Sequence, residues 1–138
     1  MTKIKYDIRL MKYISIFEST AKTNVKDCID DEDVIVFVVN ENNIGKAIGR
    51  NGINVKIIEK KINRKIKILG FNPELILFVK NLVYPIEIKD VTVEEGIVTV
   101  TGTTTESKSM LIGRERKNLR KIESIAKRNF DIKEIKVI

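Results

Sequence analysis

Histidine is absent from the 138-residue sequence, tryptophan is absent too, cysteine occurs once and proline twice. Without imidazole there is no Ser-His-Asp or Cys-His catalysis, and the commonest metal ligand is gone. One thiol, Cys28, excludes an intrachain disulfide and a cysteine-based zinc site; it reads as a small buried hydrophobe. The longest strongly apolar run, residues 34–39, is far short of the roughly 20 residues that span a bilayer. The N-terminus lacks the apolar stretch of a signal peptide. These absences predict a cytoplasmic protein that is not an enzyme, with no metal, cofactor, small-molecule substrate or membrane association. Aromatic residues make up only 6%, so base stacking on rings is a minor element, and Tyr6, Tyr13 and Tyr84 read as packing residues. The consecutive acids Asp30, Asp31, Glu32 and Asp33 lack the ligand spacing and glycine turn of a calcium loop and read as a solvated turn.

Positive charge is plentiful. Lys and Arg number 26 against 19 Asp and Glu, a net charge of +7, which points to a polyanionic partner, either nucleic acid or an acidic surface. Its distribution is uneven. Lys46, Arg50, Lys56, Lys60, Lys61, Arg64, Lys65 and Lys67 are opposed only by Glu59 within residues 44–67, so this stretch alone equals the net charge of the chain. A second cluster comprises Arg114, Arg116, Lys117, Arg120, Lys121, Lys127 and Arg128. The bland reading of either cluster is a solvated face. With 43% hydrophobic residues and many of them Ile or Val, the chain reads as folded, with strands sharing the core with helices.

Two halves repeat. Ile48-Gly49-Arg50-Asn51-Gly52-Ile53-Asn54-Val55-Lys56 aligns with Ile112-Gly113-Arg114-Glu115-Arg116-Lys117-Asn118-Leu119-Arg120 at an offset of 64 positions, with Ile, Gly, Arg and Asn identical. Downstream, Val55, Ile58 and Ile62 occupy one helical face, and their counterparts are Leu119, Ile122 and Ala126. Upstream, Val34 and Val36 align with Val98 and Val100. A register shared by strand, glycine turn and helix indicates an internal duplication.

The pattern predicts a helix on Leu10, Ile14, Phe17 and Ala21, a strand over 25–29, a turn over 30–33 and a buried strand over 34–39. Asn42 or Asn43 caps a short helix to Ile48; residues 49–52 break it, a second helix reaches Ile62, and a strand covers 65–69. The second half reads likewise. Asn72-Pro73 opens a helix carrying Leu75, Phe78, Val79 and Leu82, which stops before Pro85. A hairpin over 86–93 and 97–101 turns at Glu95-Gly96. Thr103 to Glu106 has capping-box spacing, a helix runs over 117–128, and a strand over 130–137.

The sharpest feature is the glycine turn of Gly49 and Gly52. Two glycines three apart between helices let the backbone bend tightly and let a ligand come close. The following helix then offers unpaired N–H groups and its positive dipole end, for which phosphate is the natural occupant. Arg50 can add a charged fork, Asn51 hydrogen-bond donors, and Ile48 an apolar wall for bases. Lys46 and Asn54 flank the loop as further expected nucleic-acid contacts. Lys56 and Lys60, at i and i+4, can track a phosphate backbone or simply solubilise the helix. Gly45-Lys46-Ala47 is no Walker loop, since it lacks the hydroxyl for magnesium, and there is no Gly-x-Gly dinucleotide fingerprint.

The element order and the Ile-Gly-x-x-Gly loop resemble the type II KH domain, a module that clamps about four single-stranded nucleotides. Residues 44–55, Ile-Gly-Lys-Ala-Ile-Gly-Arg-Asn-Gly-Ile-Asn-Val, are closely similar to the first KH domain of the NusA transcription factor family, and two KH units alone resemble its short archaeal form. The resemblance covers essentially the whole chain. It implies an α+β fold of two tandem type II KH domains, residues 1–71 and 72–138, each a three-stranded sheet covered by helices. It also implies a factor that acts with RNA polymerase in elongation or termination and grips nascent single-stranded RNA. Asn51 stands where the family often has Gly. Arg116 stands where the second loop glycine belongs, so that loop is degenerate; Gly113, Arg114, Arg116, Lys117 and Arg120 are its expected RNA contacts. The short Gly70-Phe71 link implies units packed together. The competing readings are a ribosome-assembly or rRNA-binding KH protein and a protein-interaction adaptor that no longer binds RNA.

Overall fold

The computed structural model describes residues 7–138. Helix α1 (Ile8–Ala21) begins at Asp7, whose carboxylate accepts from the Leu10 N–H at 2.7 Å. Strands β1 (Asp27–Asp31) and β2 (Val34–Asn40) form a hairpin, followed by helices α2 (Ile44–Ile48) and α3 (Ile53–Ile62) and strand β3 (Ile66–Phe71). The order then repeats as α4 (Leu75–Val83), β4 (Ile88–Glu94), β5 (Ile97–Gly102), α5 (Thr105–Ile112), α6 (Lys117–Asn129) and β6 (Glu134–Val137). The described chain divides into two units, residues 7–72 and Pro73–Ile138. Each has its own three-stranded sheet, ordered β1-β2-β3 or β4-β5-β6, with the first pair antiparallel and the second parallel. This is the α+β, KH-type architecture expected from the sequence.

The middle strand explains the arrangement. Residues 35–39 of β2 are all buried, as a strand paired on both edges and packed on its faces must be. Ile35, Phe37 and Val39 join Phe17, Ala21, Cys28, Ala47, Ile58 and Ile62 in one core, with the Phe17 and Phe37 rings stacked at 4.4 Å. Each of the large side chains among them contributes about 1.5–3 kcal/mol on burial, and together they fasten the α2–α3 pair to the sheet. In the second unit Phe78, Val98, Val100, Leu111, Leu119, Ile122 and Ile135 are buried.

Several local expectations shift. Asp30 and Asp31 belong to β1, and only Glu32 and Asp33 form the turn. Asp30 is half-buried because Arg9 and Arg64 reach it. Asn43 stands at the N-cap position of α2 but makes no capping bond; the side-chain cap belongs to Asn40, which accepts from the Asn42 N–H at the start of the 3-10 turn over 41–43. Asn72 donates to Glu41 at 2.7 Å instead of capping α4, which starts at Leu75 behind Glu74. Thr104, not Thr103, caps α5 by accepting from the Ser107 N–H at 3.0 Å. Tyr84 is 74% exposed, so it is not a packing residue; Tyr6 lies outside the described residues. β6 starts only at Glu134.

The strands also correct the repeat register. Ile35 pairs with Ile66, and Val98 with Ile135. The core-facing series Ile35, Phe37, Val39 therefore corresponds to Val98, Val100, Gly102, one residue out of step with the alignment of Val34 and Val36. A single-residue shift moves every side chain of a strand to the other face, and the strand pairing together with the place of Ile35, Phe37 and Val39 in the core decides in favour of the structural register.

Candidate nucleic-acid interface

Each glycine turn is built the same way. Gly49 ends α2, its N–H donating to the Gly45 carbonyl at 3.0 Å, and the Gly52 N–H returns to the Gly49 carbonyl at 3.1 Å. In the second unit Gly113 donates to Ser109 at 2.8 Å and Arg116 to Gly113 at 3.2 Å. The dihedrals match. Gly49 (φ 78, ψ 170) parallels Gly113 (φ 74, ψ 173), and Asn51 (φ 54, ψ 27) parallels Glu115 (φ 54, ψ 31). Gly52 (φ 72, ψ 21) parallels Arg116 (φ 63, ψ 18). Arg116 thus holds the left-handed conformation without being glycine, and the degenerate second loop keeps the geometry of the first.

The two glycines of the first loop serve different ends. A Cβ on Gly49 would lie 2.9 Å from the Asn54 Nδ2 and 3.0 Å from Ile53 Cγ2, whereas a Cβ on Gly52 would meet nothing within 4 Å. Gly49 is demanded by packing. Gly52 is demanded by its backbone angle and leaves open space above the turn.

Behind each loop a helix starts without a side-chain cap: α3 at Gly52 and α6 at Arg116. The first amide of each helix is taken up by the loop itself, Ile53 N–H donating to the Arg50 carbonyl and Lys117 N–H to the Arg114 carbonyl, and at these two helices no capping side chain serves the amides that follow. They contrast with α1 and α5, which Asp7 and Thr104 cap. The uncapped helix start and the helix dipole favour an anion.

Around the first loop, Arg50 and Asn51 are exposed at its tip and Lys46 is exposed on α2, while Ile48, Gly49 and Gly52 are half-buried. Lys56 and Lys60 are exposed on α3, on the side away from buried Ile58 and Ile62. Asn54 is half-buried, and its Nδ2 donates to the Lys46 carbonyl at 3.1 Å. Around the second loop, Gly113 is half-buried and Arg114, Arg116, Lys117 and Arg120 are exposed. The expected contacts therefore fall into two loop-and-helix joints, one per unit.

Sequence reasoning missed Asn118, whose Nδ2 donates to the Met110 carbonyl at 2.7 Å. The identity of Asn54 and Asn118 within the repeat was the signal. It also missed Ile53 and Ile57, 48% and 37% exposed on α3, which correspond to Lys117 and Lys121 on α6. Their i, i+4 spacing sets them on the solvent side, but an apolar residue in a helix is read first as core. Among the described residues no group of acids or thiols could hold a metal ion, and no helix is long and apolar enough to cross a membrane.

No family model matches the sequence. The chain is 36% identical over 139 residues to the "Probable transcription termination protein NusA" of Methanococcus vannielii, covering 99% of this chain and 80% of that protein. It is 30% identical to the protein of the same name from Methanocaldococcus jannaschii, with coverage of 100% and 77%. The Thermoplasma acidophilum protein of that name is 27% identical, with coverage of 99% and 97%. The crystal structure of APE1850 superposes with a TM-score of 0.77 at 25% identity, covering 96% of this chain and all of that one. With repeat, fold and relatives in agreement, the chain belongs to the archaeal NusA family of transcription termination proteins.

Proposed function

We propose that the chain is an RNA-binding transcription elongation and termination factor, not an enzyme, that grips single-stranded nascent RNA through two KH domains, residues 1–71 and 72–138. The main grip is the first loop. The observation that carries this reading is the pairing of open space above Gly52 with the uncapped start of α3. A phosphate can approach the backbone there and accept from the first-turn amides that follow Ile53, with Arg50 and Asn51 at the loop tip. Lys46, Lys56 and Lys60 then supply the salt-dependent part of the affinity, and Ile48 an apolar wall for a base. The second loop adds a contact through Arg114, Arg116, Lys117 and Arg120. RNA polymerase is the natural protein partner of such a factor, and the cytoplasm the place where it meets nascent RNA.

The test is binding of labelled single-stranded RNA across a salt series, for wild type and for Arg50→Asp/Asn51→Asp. These changes place two acids at the loop tip and leave both glycines intact. Binding by wild type and loss of most affinity in the variant supports the reading. Equal binding by both moves the grip to residues 114–121. A wild type that does not bind RNA removes the reading in favour of a protein-interaction adaptor.

A further inference from the structure

We infer that Asn54 and Asn118 are positioning residues that lock the two glycine loops in their left-handed conformation, and that the second loop depends on its lock more steeply than the first. The inference rests on the reading that these loops grip the ligand, but its primary readout does not require RNA.

The lock is duplicated atom for atom. Asn54 Nδ2 donates to the Lys46 carbonyl at 3.1 Å, and Asn118 Nδ2 to the Met110 carbonyl at 2.7 Å. In each case a residue in the first turn of the later helix reaches back eight positions to the end of the earlier one. Carbonyls in the last turn of a helix lack intrahelical donors, so the amide satisfies such a group and spans the turn at once.

The same side chains explain which glycine survives duplication. A Cβ on Gly113 would lie 2.7 Å from Asn118 Cβ and 2.9 Å from its backbone nitrogen, as one on Gly49 would strike Asn54. Gly and Asn form a packed pair in both loops. The second glycine faces no such neighbour, since Gly52 opens on empty space, and that is the position where Arg116 replaces it.

The replacement has a consequence. Each ordinary L-residue disfavours the left-handed region by about fivefold to thirtyfold, with Asn among the best tolerated. The first loop sets Asn51 and a glycine there; the second sets Glu115 and Arg116. The same geometry is therefore held against a larger intrinsic bias in the second loop, by a tie of the same kind.

The experiment uses the full chain. Backbone φ at residues 50–52 and 114–116 is read from NMR couplings, and opening from amide exchange, in Asn54→Ala, Asn118→Ala and the Asp versions of both. Asp keeps the volume against the glycine but replaces the donor with an anionic acceptor facing the carbonyl, so it breaks the tie without opening a gap and remains informative if Ala disturbs packing. Asn118→Ala and Asn118→Asp should move Glu115 and Arg116 out of the left-handed region and speed exchange there about tenfold, the scale of one lost hydrogen bond. The Asn54 variants should produce a smaller change. Adding Arg116→Gly to Asn118→Asp should restore the loop, which a merely structural role for Asn118 would not do. Unchanged φ in both Asn118 variants, a first loop disturbed as much as the second, or no rescue by glycine would each overturn the inference. RNA binding is then measured on the same proteins: a disordered loop with undiminished affinity defeats the RNA-grip reading and leaves the lock standing.

Discussion

The Asp30 carboxylate meets the Arg64 guanidinium at 3.1 Å, 34 positions along the chain, joining the outer strand β1 to the residues that lead into β3. Arg64 also donates to the Glu32 carbonyl at 2.9 Å, and Arg9 from α1 donates to the same Asp30 at 2.5 Å. Arg64 foremost, with help from Arg9 and against the penalty of burial, holds the Asp30 carboxyl below the usual aspartate range.

An acid limb in the stability of the first unit follows. A depressed carboxylate contributes in full above its unfolded value of about 3.9, and the contribution is lost as pH falls from there toward the folded value. Asp30→Asn should lower stability at neutral pH by about 1–2 kcal/mol, the range for charged hydrogen bonds discounted for partial exposure. It should also flatten the loss below pH 4. Chemical denaturation at pH 7 and at pH 3, followed by a probe in the first unit, checks both.

The glycines should separate by position. Gly49→Ala meets Asn54 and Ile53 as well as an unfavourable angle, and should disrupt the first loop. Gly52→Ala meets only the angle, a penalty of about 1–2 kcal/mol. The reverse change, Arg116→Gly, should stabilise the second unit by a similar amount. Denaturation midpoints of the three variants give the order directly.

Salt dependence should identify the phosphate contacts. Each cation that neutralises a phosphate of a single strand contributes about 0.7 to the slope of log K against log salt. Lys56→Gln and Lys60→Gln should each reduce the slope by that amount if they track the backbone. A solubilising role predicts no change.

A glutamate pair ties helix to final strand. Glu59 accepts from the Ile66 N–H and Glu123 from the Ile135 N–H, both at 2.9 Å. At Glu123 burial opposes the charge, but the Ile135 amide and Lys127 outweigh it and hold the carboxyl below its usual range. Glu59→Ala should cost about 1–2 kcal/mol by leaving a strand amide unpaired, whereas Glu59→Gln keeps an acceptor and should cost less. Exchange of the Ile66 amide reports the difference.

The legible parts of this molecule were those written in short-range pattern. The helical faces of Ile58 and Ile62, the continuous run of β2 and the glycine turn all declare themselves within a dozen residues. What stayed hidden depends on partners distant in sequence. Asp30 looked solvated because its neighbours are acids, and only the fold brings Arg64 and Arg9 to it. Asn72 looked like a cap until Glu41 claimed it. The strand register slipped by one because Val34 and Ile35 are equally apolar, so hydrophobicity alone could not say which faces the helices. In the loops, sequence identified the glycines and the basic residues, but the role of Asn118 needed the carbonyl of Met110 in place.

The parallel pairing of β2 with β3 has a consequence for how the first loop becomes fixed. The hairpin β1–β2 closes locally, whereas the segment from α2 through α3 is a crossover whose far end is fixed by β3 docking beside β2. Such non-local closure is a slow, entropically expensive step in folding. The loop sits midway along the crossover, so its order depends on β3 staying docked as well as on the core beneath α2 and α3. By thermodynamic linkage, any ligand that selects the ordered loop must also resist the peeling of β3.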